Sequence, residues 1–151
     1  TRAAGFGYRV LIYQFMKNNS TSERKILENV PNIRIVDGLE CEKFSFQMTE
    51  EEKKERKEFY ENQFRMLTKM ACEEAFDVVF FDELIYTIGA GLFSENLLLD
   101  FLKNKPKELE VILTGQGPSS NLIEAADYVS EIRKIKHPFD KGMPSRKGIE
   151  K

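Results

Sequence analysis

Charge of one sign is not in excess in this sequence: 23 lysines and arginines stand against 25 aspartates and glutamates, a net charge of -2 across 151 residues. A chain so balanced has no general electrostatic attraction for nucleic acid or an anionic membrane, so any anionic ligand has to be held by a local site. Cysteine is scarce. The two present, Cys41 and Cys72, match no metal-binding spacing and are expected to be inert or packed thiols in a reducing compartment. No apolar run approaches the ~20 residues that span a bilayer, and no internal repeat or low-complexity tract is present. These absences predict a soluble, cytoplasmic protein. Its 1–151 length suits a single domain that buries about two-thirds of its unfolded surface without disulfides or metals.

What is present is organised around Phe76-Asp77-Val78-Val79-Phe80-Phe81-Asp82-Glu83-Leu84. Four consecutive β-branched or aromatic residues, too few for a helix, read as a strand buried on both faces of a parallel sheet. The run ends in a carboxylate pair. In open α/β sheets the carboxyl edge is where ligands bind, and acids there commonly hold the magnesium ion of a nucleotide; two solvated acids closing a strand are the plainer alternative.

The remaining pattern alternates strand and helix. Thr1 to Gly7 reads as the last turn of a helix with a glycine cap, followed at once by a strand over 8–15, so a βα unit is expected upstream of Thr1. Ser20-Thr21-Ser22-Glu23 has the capping-box pattern and predicts a short helix through about Asn29, before Pro31. Ile33 to Val36 suits a strand and Asp37 to Met48 an irregular segment. Thr49-Glu50-Glu51-Glu52 is a second capping box, opening a long helix. Pairs such as Glu50/Lys54 and Glu52/Arg56 should line its solvated face, with Tyr60, Phe64, Leu67 and Ala71 in the core. Leu84 to Ile88 predicts a short helix stopped by Gly89 and Gly91. Ser94 should cap a helix over 95–104 with Leu97, Leu98, Phe101 and Leu102 buried. A strand over 110–114 runs into Thr114-Gly115-Gln116-Gly117-Pro118, a turn whose backbone is able to approach a ligand closely. A helix over 121–127, a final strand over 128–135 and a polar tail complete the pattern. The expectation is an α/β fold with a mostly parallel sheet flanked by helices, an architecture that does not by itself name a function.

Several blocks carry more. Arg2-Ala3-Ala4-Gly5-x-Gly7-Tyr8-Arg9-Val10, Gln14-Phe15-x-Lys17, Phe44-Ser45-Phe46, Asp82-Glu83-Leu84-x-Tyr86, Thr114-Gly115-x-Gly117 and Lys136-His137-x-Phe139-Asp140-x-Gly142 occur in order, with Lys147-Gly148-Ile149-Glu150 closing the chain. Together they resemble the P-loop type of corrinoid adenosyltransferase, which makes adenosylcobalamin from cob(I)alamin and ATP. The resemblance implies a P-loop NTPase (RecA-like) fold and transfer of the 5′-deoxyadenosyl group of ATP to cobalt(I), with triphosphate leaving. It also implies magnesium, a homodimer and a flavoprotein reductant.

By spacing alone Phe44 and Phe46 read as loop aromatics folded back on the core. The resemblance makes them the apolar wedge that displaces the lower axial ligand of cobalt, although Phe46 stands where the family often has tryptophan. Glu83 matches the magnesium-coordinating acid, and Asp82 beside it would order metal-bound water. Arg2 matches an arginine that reaches the triphosphate. Thr114, Gly115 and Gly117 would border the phosphates, with Gln116 replacing a family arginine. His137 joins the ligand-binding set by the same resemblance; taken alone, a lone histidine near a chain end reads as a hydrogen-bonded surface or interface residue. The family's glycine-lysine phosphate loop precedes the helix ending at Ala4, and the chain as given, lacking it, is expected to bind ATP poorly. Two other readings remain open: a non-catalytic corrinoid-binding or carrier module, and an unrelated P-loop-like nucleotide-binding domain.

Overall fold

The computed structural model describes residues 1–40 and 47–149. Its sheet is four-stranded and all parallel, in the order β2-β1-β3-β4, with β1 at Val10–Gln14, β2 at Ile33–Ile35, β3 at Val78–Asp82 and β4 at Glu110–Leu113. The helices are α1 (Arg2–Phe6), α2 (Arg24–Leu27), α3 (Glu50–Glu73), α4 (Leu84–Gly89), α5 (Glu95–Asn104) and α6 (Ser120–Ala125), with a short 3-10 turn at Pro138–Lys141. The expected α/β architecture is therefore present. None of the helices among the described residues is long and apolar enough to cross a membrane.

Alternation along β1 and β3 divides the core. Leu11, Tyr13, Phe15, Val79 and Phe81 are buried on one face, against Tyr60, Phe64, Leu67 and Ala71 of α3. Val10 and Val78 point to the other face, where they meet Ala4 of α1 in a smaller cluster. Side chains at successive strand positions point to opposite faces, so a continuous apolar run is what a sheet covered on both sides requires. The α3 stripe falls at helical spacing and closes over the larger face. The capping box at its start forms in full: Glu52 N donates to Thr49 Oγ1 and Thr49 N donates to Glu52 Oε2. On its solvated face Glu50 pairs with Lys53 rather than Lys54. Of the expected α5 stripe only Leu98 is fully buried; Leu97, Phe101 and Leu102 pack against the core while partly exposed.

Other expectations fail for identifiable reasons. Around α2 the capping box does not form, and the helix is a single turn with no side-chain cap bond. Its polar side chains are engaged elsewhere: Thr21 Oγ1 donates to Gln14 Oε1, the hydroxyl of Ser20 donates to Asn18 Oδ1, and Glu23 accepts from Gln14 Nε2. Tertiary bonds have outcompeted the local cap. The segment 128–135 is not a strand. Tyr128 is 95% exposed and Ile132 98%, and β4, not this segment, is the edge of the sheet. Strand propensity measures fit to a pleated, half-buried surface, and without a ladder neighbour it stabilises nothing. Cys72 is exposed rather than packed, and Cys41 lies outside the described residues.

Candidate functional site at the carboxyl ends of the strands

Strand order reverses between β1 and β3, since β2 lies on one side of β1 while β3 and β4 follow on the other. A crevice outside the carboxyl ends at such a switch point is where open α/β sheets bind ligands. Here the register places Gln14, the last residue of β1, beside Asp82, the last of β3.

Asp82 is heavily subscribed. Its Oδ2 accepts from Lys17 Nζ at 2.7 Å and Gln14 Nε2 at 3.2 Å, and its Oδ1 accepts from Thr114 Oγ1 at 2.7 Å. Lys17 Nζ also lies 3.5 Å from Glu23 Oε1, and Gln14 Nε2 donates to the same carboxylate oxygen at 2.8 Å. The cluster thus joins the ends of β1, β3 and β4 to the loop that follows β1. Glu83 is different. Its backbone is left-handed, with φ 60° and ψ 14°, and its N–H donates to Thr114 Oγ1 at 3.0 Å. Among the described residues, no side chain donates to the Glu83 carboxylate.

Burial of Asp82 alone would favour its neutral form, but the hydrogen bonds from Lys17 and Thr114 and the Lys17 charge prevail and hold its carboxyl below the ordinary aspartate value. Burial likewise works against charge on Lys17, and the Asp82 and Glu23 carboxylates outweigh it, raising the lysine. A depressed Asp82 contributes stability that is present above the unfolded aspartate value, about 3.9, and is lost as pH falls through the folded one. A raised Lys17 contributes stability that is lost only as pH rises beyond about 10.4. Thermal midpoints measured from neutral to pH 3 should therefore fall less steeply for Lys17→Met than for the unaltered protein. Parallel curves would mean that the pair carries no linkage.

The segment expected to bear Phe44 and Phe46 departs from the same loop. Arg24, 5% exposed, forms an ion pair with Asp37, Gly38 N donates to Asn19 Oδ1 at 2.8 Å, and Asn18 bridges Leu39 in parallel fashion. Its root is consequently fixed beside Lys17. Phe44 and Phe46 themselves lie outside the described residues.

The structure brings Asp82, Glu83 and Thr114 together and sets Gly115 against them. Gly115 has φ +142°, and a β-carbon there would stand 2.5 Å from Tyr86 N and 2.9 Å from Ile85 Cβ. Its backbone closely approaches the start of α4. Gln116 and Gly117 are exposed beyond it. Arg2 sits on α1, two residues before Ala4, which packs against the first residues of β1 and β3. Among the described residues no hydrogen bond or ion pair joins Arg2 to the Asp82 cluster. His137 caps the 3-10 turn, its Nδ1 accepting from Phe139 N at 3.1 Å. Lys17 and Gln14 had been given no role by sequence reasoning. The available signal was a polar residue closing an apolar strand and a lysine following it at fixed spacing.

Among the described residues no group of three or more His, Cys, Asp or Glu side chains forms a ready-made metal cage. Among the described residues the Glu83 carboxylate accepts from no side chain, a state compatible with magnesium, which is commonly bound by one or two carboxylates with substrate phosphates and water completing its octahedron.

Comparison with known proteins gives the same direction. The family described as ATP:corrinoid adenosyltransferase BtuR/CobO/CobP matches residues 1–150. The chain is 31% identical over 157 residues to a corrinoid adenosyltransferase of Escherichia coli (strain K12), covering 99% of this chain and 74% of that protein. It is 30% identical over 162 residues to Corrinoid adenosyltransferase CobA of Salmonella typhimurium (strain LT2), again covering 99% and 74%. A corrinoid adenosyltransferase of Pseudomonas aeruginosa is 27% identical over 150 residues, covering 99% of this chain and 72% of the relative. With a match of this length over a parallel sheet that presents its acids at the switch point, the chain belongs to the ATP:corrinoid adenosyltransferase family.

Proposed function

We propose that the protein transfers the 5′-deoxyadenosyl group of ATP to the cobalt(I) of cobalamin or of a cobalamin precursor. The observation that carries this reading is the division of labour between adjacent acids: among the described residues Asp82 is paired with side chains of the chain, and the Glu83 carboxylate at the switch point accepts from none.

The cobalt(I) electron pair attacks C5′ of ATP, the cobalt–carbon bond forms, and the C5′–O bond breaks with its electrons leaving on triphosphate. Such a nucleophile needs no catalytic base. The protein's tasks are to place C5′ over the metal and to stabilise the charge that develops on the leaving group. Glu83 would hold a magnesium ion, which neutralises triphosphate charge when bound. Asp82, with lone-pair capacity remaining on Oδ1, would order water at that ion. The exposed turn at Gln116 and Gly117 would border the phosphates above Thr114 and Gly115. Gln116 supplies no cation, so the phosphate contact there is weaker than an arginine would make.

Phe44 and Phe46 would form the dry, apolar wall against the corrin ring, displacing the lower axial ligand and making cobalt(II) easier to reduce. His137 would lie at the margin of the ligand. A second copy of the chain and a flavoprotein reductant complete the proposed system.

The test is to supply ATP, magnesium and chemically generated cob(I)alamin and to measure adenosylcobalamin and triphosphate in equal amounts. Corrinoid binding without either product would make the chain a carrier module, and ATP binding without corrinoid affinity a plain nucleotide-binding domain. The wedge is tested separately. With ATP present, cob(II)alamin should show the spectrum of a four-coordinate species, and Phe44→Ala and Phe46→Ala should each diminish it while ATP still binds. Unchanged spectra in both variants would remove the aromatics from the mechanism.

A further inference from the structure

We infer that Thr114, held by Asp82 and Lys17, is the positioning residue that aims Glu83; this rests on the reading of Glu83 as the magnesium ligand. Glu83 adopts a left-handed backbone with φ 60°, a region that side chains other than glycine, asparagine and aspartate seldom occupy. Surrounding structure has to hold it there. Its peptide is gripped from both sides. The N–H donates to Thr114 Oγ1 at 3.0 Å, while the carbonyl accepts from Thr87 Oγ1 at 2.8 Å and Thr87 N at 3.0 Å. Thr87 is fully buried.

The direction of the Thr114 bond is set by its neighbours. A hydroxyl has one proton to give. Here that proton goes to Asp82 Oδ1 at 2.7 Å, which leaves a lone pair on the threonine for Glu83 N. An ionised Asp82 has no proton to donate and so only accepts, and Lys17 Nζ, 2.7 Å from the other oxygen, is the cation beside it. The turn carrying Thr114 is locked in place by its own contacts. Ile85 N donates to the Thr114 carbonyl at 3.1 Å, and Gly115 leaves room for Tyr86 N where a β-carbon would not. Lys17, Asp82 and Thr114 therefore form a directed relay ending on the Glu83 amide. Relaxing Glu83 to a right-handed backbone would lengthen α4 by a residue and redirect its Cβ, and with it the carboxylate.

The experiment measures magnesium-dependent ATP binding by calorimetry in Thr114→Val, Thr114→Ser, Lys17→Met, Glu83→Gln and the Thr114→Val/Glu83→Gln pair, together with hydrogen exchange of the Glu83 amide without ligand. Thr114→Val and Lys17→Met should each weaken magnesium-ATP binding by about tenfold, the usual scale for a group that orients a metal ligand. Thr114→Ser, which keeps the hydroxyl, should restore binding. The double variant should bind no more weakly than Glu83→Gln alone, because Thr114 acts through Glu83. Exchange at the Glu83 amide should quicken in Thr114→Val and remain slow in Thr114→Ser. Full additivity in the double variant, or unchanged exchange in Thr114→Val, overturns the proposal. Faster exchange in Thr114→Val with magnesium-ATP affinity unaltered in Glu83→Gln would uphold the relay and dismiss the metal-ligand reading instead.

Discussion

Replacing Glu83 by alanine is expected to weaken magnesium-ATP binding on the order of 100-fold, because losing a metal ligand outright should cost at least as much as losing a group that orients one, itself about 10- to 100-fold. The size of the effect follows from how little else is available. Magnesium takes few protein ligands, and among the described residues Asp82 is already bound by Lys17, Gln14 and Thr114. A neighbouring carboxylate so engaged cannot simply swing over to replace the lost one. Binding of ATP in the absence of magnesium should change far less. Calorimetry with and without the metal separates the two, and equal affinity of the alanine variant and the unaltered protein would rule out metal coordination by Glu83.

The largest effect on stability is expected at Phe64. Its ring, 1% exposed, meets Phe81 of β3 at 5.2 Å, Phe93 at 5.0 Å and Phe101 of α5 at 5.5 Å between centroids, so it joins α3 to the central strand and to α5. Phe64→Ala removes those contacts and leaves a cavity walled by other rings, which relax poorly into the space; a loss of about 3 to 5 kcal/mol is expected. For a chain of this size the midpoint of thermal unfolding should drop by roughly 10 °C or more. Denaturant unfolding monitors the same loss, and a change below about 1 kcal/mol would show that neighbouring side chains refill the site. Phe81 stands one residue before Asp82, so such a variant should also loosen the acid cluster before it unfolds the chain.

Burial in the sheet was readable because it depends on local periodicity. The runs in β1 and β3, the stripe of α3 and the Thr49 capping box each express a spacing that the chain carries with it wherever it folds. The position of Asp82 and Glu83 at a strand end follows from the same pattern. Less legible were the segments whose fate depends on partners distant in sequence. Residues 20–23 hold a capping pattern, yet Thr21 and Glu23 turn to Gln14 because β1 ends beside them. Residues 128–135 have strand-forming side chains and no ladder beside them among the described residues, so they stay exposed.

By itself, then, the sequence determined β1 to β4, the long helix and the acids at the strand end, since periodicity and caps act within a few residues. Tertiary structure alone decided that Lys17 meets Asp82 across 65 positions, that Thr114 meets both acids across about 30, and that Glu83 takes a left-handed backbone with its carboxylate unclaimed among the described residues. The physical reason is that hydrogen bonds and ion pairs form between groups that the sheet brings within 3 Å or so of each other, and strand order, not sequence spacing, sets which groups those are.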